Sequence, residues 1–433
     1  MLLIFVDEVT ERLIFTLDFI FKDRKVAYQF TNDPVYFVTA VENKYNYSNR
    51  YFEDIHGLAP ATVIFDEAIF PYSIEESTFG NEPCLSFDSI TDPIAAIFYV
   101  LSRMEEYNSE RLDEHERFPA RESILYKLGW LQKAICDRWA EALIHTIEQM
   151  LGIQLYPQRI PVNIIPTFDI DNTFAFQWKQ GWRRILGSIK DRVRRDHARI
   201  KRRKEVLAGK SKDPYDTFDY ILEIVKRGFD VRLFWLLGDY AKYDKNISGM
   251  DQRHREMIRV LAQKVKIGLH PSYKSNSASY YLENEKERID FILGEEVTFS
   301  RQHFLKLQIP LTYQNLIKKG FTEDFTMGYA DEIGFRAGTA RPFRFFDLSK
   351  NSCTDYIIHP FAYMDGTLHE YKHWTIAQSK SEVKALYEEV ATYGGDFICI
   401  WHNETIGEFA KWEGWSQVLE FTLKLRPENE IKA

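Results

Sequence analysis

Beyond residue 160 the chain alternates between two hydrophobic regimes. Short apolar runs recur at 162–168, 231–237, 265–269, 303–307, 334–337, 356–361 and 396–401, with helical segments between most of them. Brief apolar runs bounded by turn signals read as buried strands. Their repeated alternation with helices predicts a parallel sheet, open or closed into a barrel. One of the helices is signalled by Ser379-Lys-Ser-Glu382, a capping-box pattern, and should end at Gly394.

Upstream the pattern differs. Runs at 2–6, 35–38, 62–65 and 84–87 are separated by polar turns and predict strands of a small α/β unit. Asp92-Pro93 is an N-cap followed by a proline at the first helical position. A long helix is expected over 123–151, because Leu128, Leu131, Ile135, Trp139, Leu143 and Ile147 recur at three- and four-residue spacing before Gly152. The expected organisation is an accessory α/β domain at 1–91, a helical connector at 92–158 and a larger unit at 159–433.

Composition narrows the class. With 433 residues, 45% apolar and 28% charged, the chain is globular and too long for one ordinary core. A net charge of −8 argues against nucleic acid as a partner. Four scattered cysteines give neither a disulfide framework nor a Cys-rich zinc site. The first residues read as a strand and not as a signal peptide, no apolar stretch is long enough to span a membrane, and a cytoplasmic location is expected. One segment departs from the acidic average: 182–204 holds eleven Lys/Arg and two Asp, with Trp182, Ile185, Leu186, Ile189 and Val193 at helical spacing. It reads as a solvated helix docked by its apolar stripe. Alternatively it is a peripheral surface for anionic lipid headgroups or an anionic glycan carrier.

The candidate chemistry lies at the ends of the predicted strands. Asp169 and Asp171 are spaced i, i+2, so an extended strand would put both carboxylates on one face. Such a pair repels unless a cation or a proton lies between its members, which fits a divalent metal site with an adjacent base; two acids opening a loop is the plainer alternative. His270, His303 and His402 also follow strand-like runs. A lone histidine there is commonly structural, but one carboxylate with two imidazoles suits zinc and related divalent ions.

Together these motifs resemble the polysaccharide deacetylases (NodB-homology, carbohydrate esterase family 4), and more closely a bacterial branch carrying an N-terminal accessory region. The resemblance covers roughly 160–425, and the segment Asp92–Phe118 is similar to that accessory region. It implies a distorted (β/α) barrel and a metal-dependent hydrolase acting on carbon–nitrogen bonds, with an acetylated sugar or glycan as substrate and N- or O-acetyl as the group removed. Thr167-Phe-Asp-Ile-Asp171 is similar to the family's first motif, which implies Asp169 as base and Asp171 as metal ligand. His270 fits the first metal histidine, but Lys274 stands where the second should be. A protonated lysine is a poor ligand, so His303 is the expected replacement. Gly334-Phe-Arg336 implies Arg336 as the residue orienting the base, and Cys399-Ile-Trp-His402 implies His402 as the acid. Trp401, Asp324, Asp331 and Asp365 are expected to shape the substrate pocket, with His359 nearby. The competing readings are an inactive glycan-binding or scaffolding relative, or a hydrolase of another small C–N amide.

Overall fold

The structure is a computed structural model and describes residues 1–179 and 181–426. In the N-terminal region, β1 (Leu2–Val6) lies between β2 (Tyr28–Thr31) and β3 (Asn43–Tyr47), both parallel to it. An antiparallel meander follows: β4 (Ile74–Phe79), β5 (Glu82–Phe87) and β6 (Ile90–Thr91). Two of the expected strands are not strands. Residues 35–38 lie in a short helix, Pro34–Thr39, because Asp33 accepts hydrogen bonds from the Val35 and Tyr36 amides and Pro34 pre-sets the first turn. Thr62–Ile64 is a 3₁₀ turn.

The helix predicted after Asp92 is present, Pro93–Leu101, and all its residues are buried. One Asp92 oxygen caps Ile94 and Ala95, while the other accepts from the Tyr47 hydroxyl at 2.6 Å and the Ala61 amide at 2.9 Å. The long helix expected over 123–151 is broken. A turn of helix, Ile124–Lys127, is followed by Gly129 at φ +70°, and the main helix begins only at Ile135. Glycine reaches that conformation without steric penalty and so interrupts an apolar periodicity that otherwise runs through. The C-cap at Gly152 is as expected.

The larger unit is α/β, with a curled nine-stranded sheet at its centre. Its strands are β7 (Val162–Ile170), β8 (Arg232–Trp235), β9 (Lys266–Leu269), β10 (Phe299–Ser300), β11 (Glu323–Asp324), β12 (Phe343–Asp347), β13 (Ser352–Ile358), β14 (Tyr363–Met364) and β15 (Gly395–His402). Their order is β12-β13-β11-β10-β9-β8-β7-β15-β14, and every pairing is parallel except β12 with β13. Two runs read as strands in the sequence are not. His303–Leu305 is a tight turn in which Phe304 takes φ +61°, and the pairing strand is the two-residue β10 just before it. Gly334 has φ +118°, and a Cβ there would lie 2.3 Å from the Leu131 carbonyl oxygen, so 334–337 is a loop pressed against the connector. The capping box is one turn earlier than Ser379. Thr375 and Gln378 exchange hydrogen bonds at 3.2 and 2.9 Å, the helix runs Ile376–Tyr393, and Ser379 is buried inside it. Its end at Gly394 is as expected.

The three segments of the chain share one apolar core, which includes Leu2, Ile97, Trp139, Leu233 and Leu423. Buried ion pairs cross the same boundaries. Asp137 joins Arg24 at 2.7 Å and Arg341 at 2.8 Å, and Glu106 joins Arg103 at 2.8 Å and Arg336 at 2.5 Å. Among the described residues no helix is long and apolar enough to cross a membrane.

Candidate metal centre

In a parallel sheet all strands leave the core in the same direction, so residues remote in sequence meet at the carboxyl ends. That edge collects the chemistry here. Asp169 lies at the end of β7, with Asp171 just beyond it. His270 follows β9, Arg301 and His303 follow β10, Asp365 follows β14, and His402 closes β15. Register makes the first contact: His402 pairs with Asp169 across β15 and β7.

Asp171, His270 and His303 form a group whose ligand atoms all lie within 4.8 Å of one another. Asp171 Oδ1 is 3.2 Å from His270 Nε2, and Oδ2 is 3.3 Å from His303 Nε2. Both rings are held from behind. His270 Nδ1 is 2.6 Å from the Arg301 carbonyl oxygen, and His303 Nδ1 is 2.9 Å from Asp244 Oδ1. With those Nδ1–H groups donating, each Nε2 turns a lone pair toward Asp171, an arrangement that outer-shell partners impose on metal-binding histidines. Three acceptors then face one another, and Asp171 Oδ1 is buried without a hydrogen-bond partner. A proton or a cation has to resolve such a cluster. Protonation alone would require charged imidazoles: burial disfavours charge on His303, but Asp171 and Asp244 overcome it and push its pKa up to about 10. The same pairing drives Asp171 well below the usual carboxylate range, against the desolvation that would raise it. One carboxylate and two imidazoles, neutral once an ion displaces their protons, form a donor set that fits a divalent ion.

Lys274 is not part of this group. It is exposed on the 3₁₀ turn Tyr273–Asn276, with its ammonium 5.8 Å from the centre of the Tyr281 ring. The position that a second motif histidine would fill is thus turned outward, and His303 reaches in from the next strand. Its turn places Phe304 and Leu305 at positive φ, a strained backbone braced by His115, Tyr243 and Tyr273 packed around the Phe304 ring.

Two further pairs flank the group. Asp169 Oδ1 accepts a hydrogen bond from Arg301 Nη1 at 2.8 Å, while its other oxygen lies 3.7 Å from His270 Nε2. Arg301 is itself fixed by Thr167, the Phe325 carbonyl and the face of Phe234. His402 Nδ1 is 2.9 Å from Asp365 Oδ1, and its Nε2 is 3.8 Å from Asp171. Asp365 also accepts from the His402 amide and the Thr405 hydroxyl, so its orientation is set. Burial opposes charge on His402, yet the Asp365, Asp171 and Asp169 carboxylates hold its pKa well above the ordinary value.

The cavity over these residues is about 190 Å³. Phe304, Tyr371 and Trp412 give it aromatic walls, Glu404 lies beside His402, and Arg117 enters from the N-terminal region. Arg117 is anchored by Asp113 and by the Phe304 carbonyl, each at 2.7 Å. Tyr371 is carried to the rim by a π-helical turn, Thr367–Tyr371, next to Asp365.

Several expected site residues lie elsewhere. Arg336 pairs with Glu106 and does not reach Asp169; Arg301 makes the contact expected of it. Trp401 points into the core at 0% exposure, against Tyr363, because alternate residues of β15 face opposite sides of the sheet. Asp324 is buried and spent on Thr326 and Ser300, and it does not line the cavity. Asp331 does not line it either, and His359 stacks on Phe325 with its Nε2 2.9 Å from Glu323. Asp365 is in the cavity, but its hydrogen bonds go to His402, Thr405 and the Gly366 amide. Arg301 and Asp244 were the partners not anticipated. Arg301 stands within Ser300-Arg-Gln-His303, two residues from the ligand candidate, whereas Asp244 comes from an irregular loop after β8 that carries no signal.

Residues 2–152 match a family of unknown function, DUF7033. No curated protein matches the sequence. Among solved structures, a protein of Mycobacterium smegmatis assigned as a polysaccharide deacetylase aligns with 14% identity and a TM-score of 0.41, covering 63% of this chain and 87% of that one. The Puue allantoinase aligns at 10% identity and TM-score 0.37, covering 63% and 89%. The polysaccharide deacetylase Bc1974 of Bacillus cereus aligns at 8% identity and TM-score 0.30, covering 62% and 86%.

Proposed function

We propose that the protein is a metal-dependent hydrolase that removes an acetyl group from an N-acetylated, or O-acetylated, sugar or glycan. The observation that carries this reading is the division of labour on one sheet edge. Asp171, His270 and His303 form a ligand set with neutral-imidazole geometry, flanked by a carboxylate held by an arginine and an imidazole held by a carboxylate.

Asp171 Oδ and the Nε2 atoms of His270 and His303 would hold the ion, with zinc the ion this donor set suits best. Bound there, a divalent ion supplies a Lewis acid that makes a water more acidic and polarises an acyl oxygen. The chain supplies the rest. Asp169, kept in one orientation by Arg301, accepts the proton of the attacking water through the oxygen Arg301 leaves free. His402, kept protonated by Asp365, donates to the departing nitrogen, because an amine leaves poorly as its anion. Phe304, Tyr371 and Trp412 offer flat faces to a pyranose ring, and the small cavity admits the acyl group with about one sugar.

The test is release of acetate from an N-acetylglucosamine oligomer and from an O-acetylated sugar, with zinc or cobalt supplied. Acetate release that disappears on chelation and in Asp169→Asn is expected. No release from either substrate by protein that carries its metal would overturn the reading.

A further inference from the structure

A second, larger cavity of about 600 Å³ adjoins the candidate site. Asn172, which lines it, directly follows Asp171, and Lys179, which also lines it, lies close enough to Glu404 to offset part of the rise in that carboxyl's pKa. Glu404 in turn lines the cavity over the candidate metal centre, as does Asp171, so the two spaces are neighbours at Asp171-Asn172.

The larger cavity is strongly cationic. Lys179, Lys190, Arg194, Arg199, Arg203 and Lys245 line it, against Asp191 and Asp196. The lining holds six cations against two acids. Asp191 is shared by two arginines, with Arg203 at 2.6 Å and Arg199 at 3.2 Å, and Asp196 caps the helix His197–Leu207 through the Arg199 amide. Arg199 and Arg203 are further fixed over the Phe176 ring. In a protein of net charge −8, this local excess of cations over acids favours a bound anion.

The rim of the cavity is apolar and uncovered. Four of the five positions read as an apolar stripe are exposed along the helix Gly181–Val193: Ile185 at 61%, Leu186 at 53%, Ile189 at 46% and Val193 at 77%. The side chain of the fifth, Trp182, lies outside the described residues. These four described side chains do not dock on the core. Leu186 belongs to both features, since it lines the cavity and faces out. Lys190, Arg192, Arg194 and Arg195 are exposed beside it. An exposed apolar stripe flanked by cations is the pattern of a helix lying in a membrane interface.

We propose that this cavity binds a phosphate or diphosphate group on the substrate, and that the group arrives on a lipid whose chain enters the membrane at the apolar stripe. The enzyme would then act on a lipid-linked acetylated glycan held at the bilayer surface, its acetylated sugar reaching the metal centre past Asn172. This inference rests on the deacetylase reading for the identity of the sugar, but its phosphate and membrane contacts can be measured without catalysis.

Two probes separate the parts: inorganic pyrophosphate, followed by calorimetry, and vesicles of equal parts phosphatidylcholine and phosphatidic acid, followed by cosedimentation, with pure phosphatidylcholine as control. Wild-type protein is expected to bind pyrophosphate and the mixed vesicles but not the control. Lys190→Glu with Arg194→Glu, both exposed positions, should weaken each by about tenfold or more. Ile189→Asp should release the vesicles while leaving pyrophosphate affinity unchanged. Pyrophosphate binding that is absent, or indifferent to the charge reversal, would overturn the phosphate site. Pyrophosphate binding without vesicle binding would overturn the lipid source in favour of a soluble phosphate such as a nucleotide. Neither probe carries an acetyl group, so failure of the deacetylase reading would leave both results standing.

Discussion

Two arginines that look interchangeable in the sequence have separate tasks. Arg301 holds the proposed base, whereas Arg336 neutralises Glu106 more than 200 residues upstream. Arg301→Lys keeps the charge but not the fork that bonds Asp169, Thr167 and the Phe325 carbonyl together. We expect kcat to fall about a hundredfold with metal content unchanged by elemental analysis. Arg336→Ala should do the reverse: uncovering one side of a buried carboxylate costs about 3 kcal/mol or more in chemical denaturation, while the folded fraction keeps its metal and kcat. A second expectation concerns Asp365, which holds His402 protonated to higher pH. Since the acid form is the proposed donor, Asp365→Asn should move the basic limb of the kcat profile down by about one pH unit or more; an unmoved limb would remove His402 from the acid role. At this scale Asp169, Asp171, His270 and His402 were legible because each stands at or just past the end of an apolar run at the sheet edge, whereas His303 opened a run that the fold turns into a tight turn. The orienting roles were not. Asp365 was expected in the pocket but not as the partner of His402, nothing local distinguishes Asp244 from other loop acids, and Arg336 had a motif-like setting but a partner that only the tertiary fold reveals.

The elements that present these residues depend on buried polar supports. The turn after β9 that carries His270 is held by Glu285, whose Oε2 accepts the Ser272 amide at 2.8 Å. Burial raises the Glu285 carboxyl from 4.5 to about 7, opposed by the bonds to Ser272. A carboxyl whose pKa is higher in the folded state stabilises the fold below its unfolded pKa, and that contribution is lost as pH rises through the folded value. From pH 4.5 to about 7 the loss is on the order of 3 kcal/mol. Glu285→Gln escapes it, so its stability relative to wild type, from urea denaturation, should rise by roughly that amount across this range; a constant difference would show that Glu285 ionises freely in the fold. His254, pushed down to about 4 by burial, acts in the opposite sense, losing stability as pH falls below 6.5, so the comparison must be variant against wild type at each pH. The long strands β7 and β15 were legible from their apolar runs, as was the helix after Asp92. The paired strands β10 and β11 were not, because two residues carry no periodicity. Residues 35–38 and 303–307 misled for one reason: a cap or a positive φ sets the backbone whatever the apolar content.

At the scale of the molecule, the accessory region is joined to the sheet-bearing region by more than a linker. Arg117 lines the cavity over the candidate metal centre, Glu106 and Asp137 ion-pair across the junctions, and one core includes residues from both ends of the chain. Thermal unfolding should therefore be a single cooperative transition, and a fragment beginning at residue 153 should fail to fold; two resolved transitions would contradict this. The same integration joins the region of the 2–152 family match to the candidate site. A parallel sheet was legible from repeated strand–helix alternation, but the junctions were not, since buried ion pairs between distant segments have no sequence period. We propose that Asp171, His270 and His303 hold a divalent ion in place of a motif that Lys274 interrupts. The most direct measurement is zinc content by elemental analysis after loading and dialysis. About one zinc per chain is expected in wild type and in Lys274→Ala, and close to none in His303→Ala. Full occupancy in His303→Ala, or its loss in Lys274→Ala, would contradict the account.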